Sequence, residues 1–296
     1  ADHLLLVKPG TDGALALAIA YEILRNGWWD KKFVGDFVDG INRFRRAELV
    51  DPKTFREKWT FGLIEWWNEV LKDKTPEWAA EITTLSVKEI ETVAREFGTT
   101  RPAMAIFERG PCLHSNGTYN GLSIHALNAL VGAMYAVGGL MNQMGVPYGK
   151  LPVSSDDFMD DAAKAAAAKK MPRIDRVKTK ELPLAANNIQ GIADSIVEGK
   201  PYTLDTMMFY LTNPIFSAPN AKKWEEALKK VFVIETSPFP SETGVFADLL
   251  LPDHTYLERL QDAPIYPFQG WPMTTLRVPA VKPLHDTKHF GDTLIE

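Results

Sequence analysis

Four polar turns beside apolar runs carry most of the residues in this chain that could do chemistry. The first is Lys8-Pro9-Gly10-Thr11-Asp12, between Leu4-Leu5-Leu6-Val7 and an Ala- and Leu-rich run at 14–24. A strand, a tight turn at Gly10 and a helix N-terminus aim backbone donors at an anion or nucleotide. The same pattern also makes a plain helix capped by Thr11 or Asp12. The second is Glu108-Arg109-Gly110-Pro111-Cys112-Leu113-His114-Ser115-Asn116-Gly117. Arg109 and His114 can give charge-assisted hydrogen bonds to an oxyanion, and satisfied structural roles are equally open. Cys112 beside His114 suits a nucleophile or metal ligand. A lone Cys, however, lacks the further ligands a metal needs, and buried inert cysteines are commoner. The third is Thr212-Asn213-Pro214. Pro214 biases Asn213 to extended geometry, which frees its amide at a strand end; the alternative is a simple Asn-Pro turn. The fourth, residues 236–243, holds Ser237, Ser241, Glu242 and Thr243.

These turns need elements to hold them. Residues 231–234 and 249–251 are short, continuous apolar runs, which suggests parallel strands covered on both faces. Ligands of such sheets sit at the carboxyl ends of the strands, where 236–243 lies. Residues 207–211, a helix with Trp224 and Leu228, and 231–234 have the length of a βαβ unit. Strands are expected at 4–7 and 103–107 and helices at 14–24, 118–137, 156–170 and 190–198. A helix spans 86–97, with a Ser86/Glu89 capping box and Gly98 as its stop. Residues 41–100 read as helical, with Phe33, Phe37 and Val38 opening a helix and Trp66 and Trp67 as core. An edge strand is expected within 276–283.

Composition limits the function. The chain has 296 residues, enough for two domains, with 45% apolar and 24% charged residues. A net charge of −5 opposes a nucleic-acid binder. No apolar run is long enough to span a bilayer. One cysteine excludes an internal disulfide and a four-Cys iron–sulfur site within this stretch. Both ends read as cut from a longer protein.

The motifs in order resemble the molybdopterin oxidoreductases of the dimethyl sulfoxide reductase family. The resemblance rests on Pro9-Gly10-Thr11-Asp12, Asn116-Gly117, Leu127-Asn128-Ala129-Leu130, Gly138-Gly139, Asn213-Pro214, Glu242-Thr243, Ala247-Asp248 and Tyr256-Leu257-Glu258-Arg259. It looks closest to the polysulfide and thiosulfate reductase branch. One departure is Ser237, where the family often has an Asp for the cofactor's guanine.

The resemblance implies an α/β fold: two layered domains with mostly parallel sheets flanked by helices. Residues 1–111 would form the first and 112–296 the second, with a surface excursion at about 145–187. An N-terminal iron–sulfur domain and a C-terminal barrel would lie outside the chain. The implied cofactor is bis-molybdopterin guanine dinucleotide with Mo or W, plus a 4Fe-4S cluster elsewhere in the protein. Its implied contacts are Gly10, Thr11, Asp12, Gly110, Pro111, Cys112, Leu113, Asn116, Thr212, Asn213, Pro214, Ser237, Glu242 and Thr243. Arg109 and His114 are the candidate catalytic groups, and no metal ligand falls in this chain. The implied role is that of a catalytic subunit reducing a sulfur compound or related oxyanion. Expected partners are an iron–sulfur subunit and a membrane anchor, with a periplasmic or outer-face location. The alternative is a non-catalytic homologue kept as a structural subunit. A dehydrogenase binding NAD is disfavoured because no GxGxxG follows a strand.

Overall fold

The computed structural model describes residues 3–142, 145–149, 159–169, 171–265 and 272–295. Pro152, Pro267 and both ends of the helix expected at 156–170 lie outside them. The chain divides into two compact units, Ala1–Asn142 and Gln143–Glu296.

The first unit is built on α1 (Asp12–Asn26), whose Ala, Leu and Ile residues favour helix and whose Ala18, Ala20, Ile23 and Leu24 are fully buried. Gly27 ends it at φ 78°, where a Cβ is unwelcome, and Trp28 N–H donates back to the Ile23 carbonyl at 2.9 Å. Around α1 pack α3 (Pro76–Thr83), α4 (Val87–Thr99) and α6 (Gly117–Leu130), with α2 (Leu63–Glu69) and α5 (Arg109–Cys112) alongside. Because α6 packs along α1, residues 117–130 belong to the first unit rather than to the second, which the sequence reading began at 112.

Three local expectations change. Residues 35–37 form β1 (Gly35–Phe37), antiparallel to β2 (Phe55–Glu57), where a helix was expected. Their Phe37 and Phe55 rings meet edge-on at 5.0 Å, and Phe44 packs on the fully buried Trp67 at 4.8 Å. This aromatic set is core, as the Trp spacing suggests. Gly98 does not stop α4: it lies within the helix, and a Cβ there would meet Trp28 at 3.0 Å. Helix α6 ends at Leu130, short of 137, because Gly132 turns the chain at φ 69°.

The apolar runs 4–7 and 103–107 are extended but pair with no strand among the described residues. Each exposes alternate side chains, with Leu4 77%, Leu6 74% and Ile106 73% exposed, so neither is buried on both faces. Ala105 is held instead by the fully buried Asn128 of α6. Its N–H donates to Asn128 Oδ1 at 2.8 Å, and its carbonyl accepts from Nδ2 at 2.9 Å.

The second unit contains the parallel sheet. Strands β3 (Thr206–Tyr210), β4 (Phe232–Ser237) and β5 (Leu249–Pro252) lie in that order, all parallel. Helices α8 (Ile189–Glu198) and α10 (Ala221–Leu228) cover one face, burying Ile196, Phe209, Trp224, Leu228 and Val233. Met208, in register with Ile234, lies on the opposite face and stays 45% exposed, and on that face the Tyr210 ring meets Phe290 at 4.7 Å. The surface helix α7 (Asp161–Ala168) and the short α9 (Pro214–Ser217) complete the helical parts. Strands β6 (Gln261–Ile265) and β7 (Met273–Arg277) form a separate antiparallel pair, so the expected edge strand starts earlier and ends at Arg277. The last helix, α11 (Phe290–Ile295), is tied down by Asp253 Oδ1, which accepts from Phe290 N–H at 2.9 Å. Among the described residues no helix is long and apolar enough to cross a membrane.

Asn128→Leu keeps the side chain's size but strands the N–H and C=O of Ala105. The first unit should lose about 2–4 kcal/mol of stability, read as a lower denaturant midpoint by tryptophan fluorescence.

Candidate functional site

In the first unit two turns distant in sequence meet. Residues 8–12 form a turn in which Thr11 Oγ1 donates to the Lys8 carbonyl at 2.6 Å, so Thr11 closes the turn and does not cap α1 with its side chain. Gly10 stands at φ 83°, and a Cβ there would sit 3.2 Å from the His114 ring. That close approach requires glycine for both backbone and space. Asn116 Nδ2 donates to the Gly10 carbonyl at 3.1 Å. Gly10, Pro111, His114 and Asn116 are therefore neighbours, with Asp12 opening α1 beside them.

The second turn stays near solvent. Arg109, Gly110, Cys112, Leu113, His114 and Asn116 are all exposed, and Pro111 is half-buried. Cys112 is a free, exposed thiol, which removes the buried, inert reading. Gly117 opens α6 against Cys112, whose carbonyl would lie 2.0 Å from any Cβ. Among the described residues no three of His, Cys, Asp and Glu are grouped as a metal site would require.

In the second unit the turns after β3 and β4 interlock. Leu211 leaves β3 at φ 50°, a left-handed geometry that costs a branched residue about 1–2 kcal/mol. It delivers Thr212 and Asn213 to the carboxyl end of the sheet. Asn213 Oδ1 accepts from the Thr243 hydroxyl at 2.8 Å and from Thr243 N–H at 3.2 Å, while its amide donates to the Glu242 carboxylate. Thr243 Oγ1 also accepts from Ile215 N–H at 3.3 Å. Asn213 is thus a clamp between two strand-end loops, more than a simple Asn-Pro turn. The Asn213 amide holds the Glu242 carboxyl below the usual carboxylate range. Ser237 lies at the end of β4 on a cleft of about 290 Å³ shared with Phe239, Leu250, Leu251 and Pro252.

Two site-supporting residues escaped the sequence reading. Asn120, 3% exposed, bonds to both turns of the first unit. Glu235, 2% exposed, also borders the 290 Å³ cleft, and its carboxylate accepts from the Ser241 hydroxyl, which anchors the loop after β4 from below. Asn120 stands four residues past Asn116, one helical turn along the same face, and that spacing was its available signal. Glu235 sits inside an apolar strand run, and a buried acid there is a signal in itself.

Polar turns gathered at the carboxyl ends of the parallel strands β3 and β4 define an α/β protein with its candidate ligand-binding groups at one sheet edge. Over residues 1–276 the chain matches the family model for molybdopterin oxidoreductases. It is 41% identical over 260 residues to the molybdopterin-containing subunit of arsenate respiratory reductase from Chrysiogenes arsenatis, covering 85% of this chain and 30% of that protein. The corresponding subunit from Shewanella sp. (strain ANA-3) is 36% identical over 95% of this chain and 34% of its own length. The chain therefore spans about a third of the length of these relatives. Its fold is similar to acetylene hydratase from Pelobacter acetylenicus, with a TM-score of 0.67 at 20% identity over 99% of this chain and 40% of that one. The chain belongs to the molybdopterin oxidoreductase family, whose members here are molybdopterin-dependent enzymes.

The Glu242 clamp has a pH signature. A depressed carboxylate pKa adds stability above the unfolded value of about 4.3, and that stability is lost as pH falls through the folded value. The side-chain amide resonance of Asn213 should therefore move with a titration step below about pH 4.3. Glu242→Gln should abolish that step.

Proposed function

We propose that this chain is the nucleotide-gripping middle of a catalytic subunit that carries bis-molybdopterin guanine dinucleotide with Mo or W. The observation that supports it most is the meeting of the 8–12 and 109–116 turns at Gly10. There a glycine-only backbone, the Asn116 amide, His114 and the start of α1 share one surface. A polar turn at a helix N-terminus with a carboxylate, Asp12, suits a guanine edge together with an anionic linker. In the second unit Thr212, Asn213, Pro214, Ser237, Glu242 and Thr243 offer amide, hydroxyl and carboxylate groups at one sheet end, which suits a second nucleotide. When bound, the pterin–metal group supplies two-electron chemistry with oxygen or sulfur atom exchange.

This chain's own residues bind and orient. Gly110, Pro111, Cys112 and Leu113 face the cofactor, and the exposed Arg109 and His114 offer donors to an oxyanion. The substrate is a small oxyanion or sulfur compound, and the similarity to arsenate reductases favours the oxyanion. The full protein passes electrons through a 4Fe-4S cluster to an iron–sulfur subunit and a membrane-anchored partner at the periplasmic or outer face of the membrane.

Mass spectrometry of the full-length protein, with pterin release, should find Mo or W and a guanine nucleotide. A metal-free, pterin-free protein from a host competent to make the cofactor overturns the proposal. With a reduced viologen, arsenate should be turned over ahead of thiosulfate, tetrathionate, polysulfide and nitrate. Asp12→Ala should lower cofactor occupancy without unfolding the protein; unchanged occupancy removes Asp12 from the guanine site.

A further inference from the structure

Asn120 has no exposed surface with which to meet a ligand, at 3% exposure, yet it uses every hydrogen-bonding position of its amide on the two cofactor-facing turns. Its Oδ1 accepts from Gly13 N–H at 3.1 Å and from Asn116 Nδ2 at 3.2 Å. Its Nδ2 donates to the Gly10 carbonyl at 3.3 Å and to the Pro111 carbonyl at 2.9 Å. Two donors and two acceptor positions are all an asparagine side chain has. The orientation is fixed by its partners: turning the amide over would set NH₂ against Gly13 N–H and oxygen against two carbonyls. All four partners lie on the turns at 8–13 and 109–116, and Gly10 and Gly13 are more than 100 residues from Asn120 in sequence. Gly13 must also be glycine here, since a Cβ would come within 2.4 Å of Asn120 Oδ1.

The geometry points to Asn120 as the positioning residue that sets the spacing of these turns, and through them the grip on the pterin nucleotide. The inference rests on the function proposed above and adds the residue on which retention of the cofactor depends. Carbonyls are expensive to leave buried without donors; the Pro111 carbonyl takes its side-chain donor from Asn120 and the Gly10 carbonyl shares Asn120 with Asn116, so loss of the Asn120 amide loosens the approach of the two turns. Aspartate has the same shape but, when ionised, no donor; it would face the Gly10 and Pro111 carbonyls with like partial charge. Serine keeps one donor and one acceptor but is too short to reach both turns.

The test uses the full-length holoenzyme with Asn120→Asp, Asn120→Ser and, as a control, Ile23→Val. The control is a fully buried change on α1 that touches neither turn. Two readouts are taken: release of the pterin into buffer, followed by its fluorescence after oxidation, and hydrogen exchange of peptides spanning 8–14, 109–117 and 87–99. Asn120→Asp and Asn120→Ser should release the pterin about ten-fold faster than wild type, a loss typical of groups that orient a ligand's direct contacts. Both turn peptides should lose protection together while 87–99 keeps its own. Ile23→Val should lower the melting temperature without changing release. A release rate equal to wild type in folded Asn120 variants overturns the inference while leaving the proposed function standing. So does accelerated release in Ile23→Val, which would make retention a matter of stability alone. If both Asn120 variants accumulate only as unfolded chain, Asn120 is an ordinary core residue and the inference fails. Wild-type protein without pterin fails the proposed function instead.

Discussion

A buried amide must find all its partners, and on α6 that requirement organises the first unit. Asn120 and Asn128 sit eight residues apart on α6, a little over two helical turns and about 80° apart around its axis. Each is buried, and each satisfies backbone that has no ladder of its own: Ala105 on one side, Gly10, Gly13 and Pro111 on the other. Ala105 needs no sheet partner because the Asn128 side chain takes both its backbone groups. Close packing of α1 on α6 follows, since Gly13 removes the bulk that would push Asn120 away, while Gly121 leaves room for Phe107 and Cys112. An unmet buried N–H or C=O costs about 1–3 kcal/mol, so the arrangement holds only as a whole.

The second unit solves the same problem by ordinary means. Three parallel strands pair through their backbones, and the loops after them are tied by Asn213 and Glu235. Glu235 reaches the loop because Gly244 leaves room: a Cβ there would fall 2.1 Å from the carboxylate. A carboxyl group buried in a strand core needs a hydrogen-bond partner, here the Ser241 hydroxyl, which also accepts from Gly244 N–H at 3.1 Å.

The parallel sheet, the helices 12–26, 87–99 and 189–198, and the polar turns were legible because each depends on local signals. These are apolar runs of strand length, a capping box at Ser86 and Glu89, and glycines where the chain reverses. What stayed hidden depends on distant neighbours. Residues 35–37 pair with 55–57, so no window around Phe37 could announce a strand. The runs 4–7 and 103–107 carry strand-like residues but meet Asn128 and α3 rather than a strand: Lys8 N–H, just after the first, donates to the Thr83 carbonyl at 3.0 Å. Gly98 has the look of a helix stop but serves a contact with Trp28 that only folding reveals. Asn120 was harder to see, because Gly10, Gly13 and Pro111 lie outside its own helix and only its spacing from Asn116 is local.

Cys112 is the sole cysteine of the 296 residues and is exposed in the turn that meets Gly10. A maleimide dye or nitroxide added to these residues therefore attaches at one place, without engineering. Its mobility or emission would report on that turn alone, so opening and closing beside Gly10 could be followed in real time by a signal independent of catalysis.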